Sequence, residues 1–289
     1  MEQKHSWPLQ DYMVVVRCFT YNQVKYIEDA LKGIVMQKTT FPFCALVVDD
    51  CSTDGTVDII KRYEKEYPDI IKAVYLQENY YSQKKSKIPF VKPWHDRAKY
   101  LACCEGDDYW INSNFLQVAV DFLENHSDYS CVFGNRIVCD EQGHLLTKTT
   151  FGRDLTINDI MSGINMGLRN LCYRREVSNV VFNSSSNGDL QLYYKCAISG
   201  KMKYINDDFA VYRYTGEGVC SSLKGKEALY ISYYHYYKFH QETGFKYQKE
   251  YVNYQIRQLI SHLFHPSESL YCLRMIGKFH VPSRWRYMW

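Results

Sequence analysis

The stretch from Leu46 to Thr56, LVVDDCSTDGT, decides the fold of this chain. A short apolar run ends in the two adjacent carboxylates Asp49 and Asp50, and small polar residues and Gly55 follow them. This pattern predicts a buried parallel strand and a turn that leads directly into a helix. Ligands of open α/β sheets bind at the carboxyl ends of such strands, so the two acids are candidates for a binding site.

A second run repeats this arrangement. Tyr100–Cys104 is apolar, and the sequence EGDD follows it directly at residues 105–108. Two strands that each end in acids indicate one acidic site for a divalent cation and a polar or phosphorylated ligand, because hard cations prefer oxygen ligands. Asp107 and Asp108 also fit a second interpretation, a turn that caps the helix after Trp110. The matching acid pair of the first strand favours the functional interpretation.

Strand and helix patterns alternate along the first half of the chain. We predict strands over 12–19, 43–48, 70–76, 100–104 and 129–139, and helices over 22–34, 54–67 and 112–124, the first of them capped by Asn22. The alternation predicts right-handed crossovers and a parallel sheet. A polar, basic loop spans 78–93, and loops of this length are more often functional than idle. After residue 140 the pattern becomes α+β, and from residue 224 it is Tyr-rich and helical, with breaks at Gly244 and Pro266.

The composition excludes several classes of protein. The chain has 289 residues, 46% of them hydrophobic, and a net charge of +3, which gives no electrostatic case for binding nucleic acid. Its 11 cysteines lie mostly in apolar runs without zinc-ligand spacing, which favours a reducing, cytoplasmic location. We find neither a signal peptide nor a membrane-spanning segment. The histidines form no metal motif, and we expect His235, His240 and His262 to be core or surface residues.

Four motifs in order give the chain a resemblance to a known family. Thr20-Tyr21-Asn22, Gln37-Lys38, 48–56 (VDDCSTDGT) and 105–110 (EGDDYW) resemble the GT-A glycosyltransferases of family 2, inverting enzymes that use nucleotide-activated sugars. The resemblance implies an α/β, Rossmann-like GT-A fold whose mostly parallel central sheet is flanked by helices. It implies a catalytic domain over 1–223, with a nucleotide-sugar half at about 10–135 and an acceptor half at about 136–223. A helical, Tyr-rich extension follows over 224–289.

The same resemblance assigns roles to individual residues. Asp108 corresponds to the metal-binding acid, so Mn²⁺ or Mg²⁺ is the implied cofactor, which would assist departure of the nucleotide diphosphate. The residues of the implied nucleotide site are Thr20, Tyr21, Asn22, Asp49, Asp50, Arg97 and Asp107. The basic residues 84–87 could add positive charge, although a solvated loop is the simpler interpretation.

An inverting transfer needs one base on the acceptor side. Asp189 aligns with the acid that family members carry before a helix, and it equally suits an N-cap position; Asp207 or Asp208 is the alternative base. Arg213 and Thr215 belong to a segment that resembles the loop closing over the donor. Thr215 stands where many relatives have His.

These roles predict transfer of a hexose or N-acetylhexosamine from a nucleotide sugar, a UDP-sugar, to a glycan or lipid-linked glycan in surface polysaccharide synthesis. Two alternatives stay open: a catalytically degenerate sugar-nucleotide or glycan-binding module, and a sugar nucleotidyltransferase that lacks its usual Gly-rich loop. Cations and aromatic residues over 274–289 could contact the inner face of the plasma membrane or form an oligomer surface.

Overall fold

Two sheets and the helices around them make up the part of the chain described by the computed structural model, residues 11–180, 188–216, 225–262 and 266–279. The strands are β1 Tyr12–Thr20, β2 Phe43–Asp49, β3 Ile71–Tyr75, β4 Ala98–Cys103, β5 Tyr109–Trp110, β6 Tyr129–Phe133, β7 Arg136–Cys139, β8 Leu145–Thr149, β9 Leu171–Arg174, β10 Lys201–Tyr204 and β11 Ala210–Arg213. The α-helices are α1 Ile27–Val35, α2 Thr56–Glu66, α3 Ile88–His95, α4 Phe115–Asn125, α5 Ile157–Met161, α6 Gly188–Ser199, α7 Gly225–Glu242, α8 Gln248–Ser261 and α9 Pro266–Lys278.

The larger sheet has seven strands in the order β10-β6-β9-β4-β1-β2-β3. Its neighbouring strands are parallel except where β9 pairs with β4 and β6, which confirms the mostly parallel central sheet. Thr20 of β1 pairs with Asp49 of β2, and Arg17 pairs with Cys103 of β4. The carboxyl ends of these three strands therefore lie side by side.

Helices cover both faces of this sheet, and the central strands are apolar for that reason. Every residue of β2 is buried, as expected for a parallel strand between two helical layers. Alternate residues of β1 belong to opposite cores: Val15 packs with Leu46, whereas Val14 and Val16 pack on the other side. Burial on both faces fixes the register of the strands and with it the position of the acids at their ends.

The smaller sheet has the strand order β5-β11-β7-β8. It contains the second part of the segment 129–139, so the prediction of one strand over that segment was wrong. This segment forms β6 and β7, which belong to different sheets, and the chain turns between them at Gly134. A Cβ on Gly134 would lie 2.5 Å from the Phe209 ring and 2.7 Å from the Asp207 carbonyl oxygen. A glycine is required there because the backbone passes so close to its neighbours.

Two further local predictions were wrong. Asn22 does not cap α1, which begins five residues later; its backbone is left-handed, with φ of 50°, and its side chain binds another loop. The loop predicted over 78–93 ends early, because 88–95 form α3, with Pro89 in the first turn where a missing N–H costs nothing. In both cases contacts between distant segments override the local signal.

Helices α7, α8 and α9 share an aromatic core of their own that includes Tyr233, Tyr251 and Tyr254. They are also joined to the rest of the molecule. Phe239 lies in the main core, and His240 Nε2 lies 3.0 Å from the Met161 carbonyl oxygen. His240 is therefore a core residue, as predicted. The predicted boundary near 224 and the segment 280–289 lie outside the described residues.

None of the helices in the described ranges has the length and apolar character to cross a membrane. The ten cysteines that the structure describes are all free thiols, and nine of them are buried.

Candidate active site

A cavity of about 380 Å³ opens where β1, β2 and β4 end. It brings together six of the residues that the sequence nominated: Thr20, Tyr21, Asn22, Asp50, Asp107 and Thr215. The remaining lining residues were not nominated individually as site residues: Phe19, Gln23, Tyr26, Tyr81 and Lys87. Aromatic rings, hydroxyl groups and two carboxylates thus share one cleft at the end of a parallel sheet, the position where such folds bind ligands.

One wall of this cavity is held by hydrogen bonds between two loops. The Asn22 backbone N–H donates to Ser52 Oγ at 2.8 Å, and the Thr53 N–H donates to Asn22 Oδ1 at 2.8 Å. The Val24 N–H donates to Asp54 Oδ2 at 2.9 Å. The run that decides the fold therefore also fixes the segment 20–24, which lines the cavity.

Two buried oxygen atoms lie beside Gly106. Within the described ranges, Thr20 Oγ1 and Gln23 Oε1 have no hydrogen-bond partner. A Cβ on Gly106 would lie 2.7 Å from the first oxygen and 2.4 Å from the second. Unsatisfied buried oxygens are costly, so their presence next to the acid pair marks a place prepared for a ligand.

Asp49 and Asp50 have different hydrogen-bond partners. Both oxygens of the fully buried Asp50 hold the loop over 78–87, by accepting from the Tyr80 N–H at 2.8 Å and the Tyr81 N–H at 3.1 Å. Lys87 Nζ lies 2.7 Å from the same carboxylate. Asp49 Oδ2 accepts from a backbone N–H at 2.9 Å, whereas its buried Oδ1 has no partner among the described residues.

Asp107 and Asp108, the second acid pair, also differ from each other in exposure and in contacts. Asp107 lines the cavity and is partly exposed, and burial followed by the nearby Glu105 carboxylate raises its pKa. Asp108 is 1% exposed and points into the protein. Its Oδ1 accepts from the Arg213 N–H at 3.0 Å, and its Oδ2 lies 2.8 Å from Arg169 Nε. Burial raises the pKa of Asp108 to about 7 against the opposing effect of Arg169.

Arg169 connects Asp108 to Asp189. Its guanidinium packs over the Tyr212 ring at 4.2 Å, and the Trp110 indole N–H donates to its carbonyl oxygen at 2.7 Å. Asp189 lies in the first turn of α6. Burial raises the pKa of Asp189, and Arg169 is the largest influence that opposes this. Asp189 thus lies within electrostatic reach of Arg169 and Glu105, and its carboxylate is more basic than that of an exposed aspartate.

A partly buried ion pair lies beside the site, at the carboxyl ends of β1 and β4. Arg17 donates to Glu105 Oε1 at 2.9 Å, and Glu105 Oε2 accepts from the Phe19 N–H at 2.8 Å. Neither Arg17 nor Arg169 was predicted. The available signal was that each is a single charged residue within an apolar run, and burying such a charge requires a partner.

Arg97 is not part of this site. It precedes β4, and its carbonyl oxygen accepts from the N–H of Tyr12, the first residue of β1. Thr20 lies at the other end of that strand, roughly 26 Å away at about 3.3 Å per residue. The nucleotide-binding role predicted for Arg97 is therefore excluded by its position in the sheet.

Three other residues that the sequence predicted to belong to the site form contacts within the protein. Arg213 pairs with Asp29 Oδ2 at 2.7 Å and is 6% exposed. Asp207 Oδ2 accepts from the Asn112 amide at 2.8 Å, and Lys148 lies 2.6 Å from Asp208. These contacts give Arg213, Asp207 and Asp208 structural roles within the described part of the chain.

Metal ligands are few in this cleft. In the residues that the structure covers, no three His, Cys, Asp or Glu side chains come together as a metal site. Oxygen donors at the cleft include the Asp107 carboxylate and the buried oxygens of Thr20 and Gln23. These hard donors suit Mg²⁺ or Mn²⁺, which commonly take part of their coordination from substrate phosphates.

Comparison with known proteins agrees with this geometry. A family model described as "Glycosyl transferase family 2" matches residues 18–187, more than half of the chain. An uncharacterized protein of Mycobacterium bovis is 30% identical over 207 residues, which are 70% of this chain and 59% of that protein. The chain thus spans less than two thirds of that relative. The putative teichuronic acid biosynthesis glycosyltransferase TuaG of Bacillus subtilis is 27% identical over 72% of this chain and 81% of its own length.

Solved structures share the fold. The crystal structure of Staphylococcus aureus TarS 1-349 in complex with UDP-GlcNAc is 19% identical, with a TM-score of 0.63 over 94% of this chain and 82% of that one. The mannosyltransferase PcManGT from Pyrobaculum calidifontis, in complex with GDP-Man and Mn²⁺, is 16% identical, with a TM-score of 0.60 over 93% of this chain and 75% of that one.

Proposed function

The chain belongs to glycosyl transferase family 2, and we propose on that premise that it transfers a sugar, with inversion, from a nucleotide sugar to a hydroxyl group of a surface-polysaccharide precursor. The observation that carries the proposal is one cleft at the sheet's carboxyl edge that Asp107 lines, together with Arg169, whose charge acts on both Asp108 and Asp189. Relatives and neighbours named for teichuronic acid synthesis and for complexes with UDP-GlcNAc support a UDP-sugar donor and a hexose or N-acetylhexosamine as the transferred sugar.

The donor nucleotide would lie against Tyr21 and Asn22. Tyr21 is 46% exposed at the cavity, so its ring is accessible for stacking on a base. The free oxygen of Asp49 lies buried at the end of β2, next to this wall. Thr215 also lines the cavity. These residues would hold the nucleotide part of the donor.

Asp107, rather than Asp108, would hold Mn²⁺ or Mg²⁺. Both oxygens of Asp108 already have protein partners, whereas Asp107 faces the cavity. A bound divalent ion would neutralise charge on the departing nucleotide diphosphate. Asp108 would instead keep Arg169 in place beneath the site.

Asp189 would act as the general base. Its raised pKa makes the carboxylate a better proton acceptor than an exposed aspartate, while Arg169 keeps it ionised. It would take the proton of the acceptor hydroxyl as the oxygen attacks the anomeric carbon. The bond to the diphosphate breaks on the opposite face, which inverts the configuration.

A panel of UDP- and GDP-sugars tests this function. With Mn²⁺, one donor should raise the melting temperature, because a ligand that binds only the folded state stabilises it, and the same donor should release its nucleotide when acceptor is present. A donor that binds tightly and is never turned over would point to a sugar-nucleotide-binding module. Stabilisation by no nucleotide sugar would contradict the proposal.

A further inference from the structure

A second cavity, of about 470 Å³, lies entirely within the acceptor half. It is lined by Arg136 of β7, by Thr149 of β8, by residues of the segment 150–155 and by the segment 163–165, which includes Asn165. None of its lining residues is acidic. Its volume is in the range of ordinary ligand-binding cavities, and the active-site cleft described above does not include any of its residues.

Two arginines line this cavity, and they differ in their partners. Arg153 pairs with the Asp159 carboxylate at 2.7 Å, whereas no acid pairs with Arg136 among the described residues. Throughout the described ranges its guanidinium forms no ion pair, and its buried Nε has no hydrogen-bond partner. The groups that act on it electrostatically are Arg169, Tyr193 and Tyr212, and none is a carboxylate. Burial and then Arg169 lower the pKa of Arg136. The partly buried arginines near the active-site cleft, Arg17 and Arg169, each have a carboxylate partner.

The cavity adjoins the proposed base through two residues. Asn165 lines the cavity, and its Oδ1 accepts from the Tyr193 hydroxyl at 3.2 Å. Tyr193 lies four residues after Asp189 on α6, one helical turn of about 5.4 Å further on and on the same side. A glycan with its reacting hydroxyl at Asp189 could therefore extend a neighbouring unit toward Arg136.

We propose that this cavity is an acceptor subsite for an oxyanion, a carboxylate or a phosphate on the acceptor glycan, held by Arg136 with help from the Thr149 and Thr150 hydroxyls. A guanidinium binds either group through two parallel N–H donors. A partly buried arginine without a counterion is costly, and an anionic ligand removes that cost. This inference rests on the proposed function and specifies the class of its acceptor.

Binding of defined oligosaccharides to the full chain, saturated with UDP and Mn²⁺, tests the subsite. The probes are trigalacturonate for the carboxylate, an oligo(glycerol phosphate) for the phosphate, and the fully methyl-esterified trigalacturonate as a neutral control. Calorimetry should show tighter binding of at least one anionic probe than of the ester. The probe that binds identifies the anion.

Three variants assign that preference to Arg136. Arg136→Gln should weaken binding of the anionic probe at least about tenfold, the effect of losing a charged hydrogen bond. Arg136→Lys should retain part of it, and Arg62→Gln, an exposed arginine on α2, should retain all of it. Because Arg136 lacks an acidic partner, Arg136→Gln should keep the melting temperature of the parent, which shows that the variant is folded.

Equal binding of the ester and both anionic probes, or equal binding by Arg136→Gln and the parent, would overturn the subsite. Failure of the proposed function has a different signature, namely no nucleotide release from any donor. Because the binding measurement needs no turnover, the two outcomes are independent.

Discussion

Asp189 is the residue whose replacement should be most damaging to catalysis. Asp189→Asn keeps the size of the side chain and removes the proton acceptor, so kcat should fall at least about 100-fold, the usual contribution of a general base. Its pKa is raised, so the acid limb of the kcat/KM profile should have its midpoint above 3.8, the ordinary aspartate value. Steady-state kinetics from pH 4 to 8 measures both. Parent-like turnover by Asp189→Asn would exclude this residue as the base.

Asp107 and Asp108 should behave differently although they are adjacent. Asp107→Asn should raise the Mn²⁺ concentration needed for half-maximal activity and leave the melting temperature nearly unchanged, because its carboxylate faces the cavity. Asp108→Asn leaves Arg169 buried without its counterion, which should cost about 3 kcal/mol of stability at pH 8.

Urea denaturation and Mn²⁺ titration of the two variants separate these roles. A loss of Mn²⁺ dependence in Asp108→Asn with unchanged stability would reverse the assignment. The family resemblance assigned the metal to Asp108 and the nucleotide to Asp107, but the residue pattern alone does not distinguish the two acids. Adjacent side chains point in different directions, and which one faces the cavity depends on Arg169, 61 positions after Asp108.

At the scale of elements, Gly33 lets helix α1 pack directly against β5, the strand that follows Asp107 and Asp108. A Cβ on Gly33 would lie 2.7 Å from the Trp110 backbone nitrogen and 2.8 Å from its carbonyl oxygen. These are backbone atoms of β5, which directly follows the acids. The helix can therefore approach this strand only because residue 33 has no side chain.

Gly33→Ala should destabilise the protein even though alanine is the better helix former. Moving the backbone of β5 should cost about 1–3 kcal/mol, more than the roughly 1 kcal/mol gained in helix propensity. Gly277→Ala on α9 is the matched control, since its Cβ would meet nothing within 4 Å, and it should be neutral or stabilising. Thermal unfolding compares them. A Gly33→Ala variant as stable as Gly277→Ala would contradict the close packing.

The local sequence pattern predicted best the elements whose apolar residues are buried in the main cores. β1, β2 and α2 were predicted to within two residues at each end, since their apolar periodicity and their flanking Gly and Pro agree. Asn22 and the loop over 78–93 were not, because their conformations follow from the Asn22–Ser52 and Asp50–Tyr80 hydrogen bonds. Contacts of this kind leave no periodic signal.

At the scale of the whole molecule, His240 links helix α7 to helix α5 through the Met161 carbonyl oxygen. The ring is fully buried, and burial lowers its pKa from 6.5 to about 4. Between these two values the unfolded chain binds a proton that the folded protein excludes. Stability should therefore be complete above pH 6.5 and fall as the pH decreases toward 4, by up to roughly 3 kcal/mol.

The melting temperature of the parent and of His240→Gln between pH 4 and 8 checks this coupling. The variant should be less stable at pH 8 and should lose less stability on acidification. His95, whose pKa burial also lowers to about 4, should leave a remaining slope in both proteins. Parallel curves would show that His240 does not contribute to the acid sensitivity.

The sequence by itself determined the alternation of strands and helices in the first half of the chain, the two strands that end in acids and the prediction of Asp189 as a base. These depend on local periodicity and on motifs in linear order. Only the tertiary structure decided that Asp107 faces the cavity, that Asp50 anchors a loop, and that Arg136 has no acidic partner among the described residues. The physical reason is that the role of a buried charged residue depends on the partner it meets on folding, and that partner can lie far away in the sequence. Arg17 and Glu105 are 88 residues apart, and only the assembled sheet brings them together.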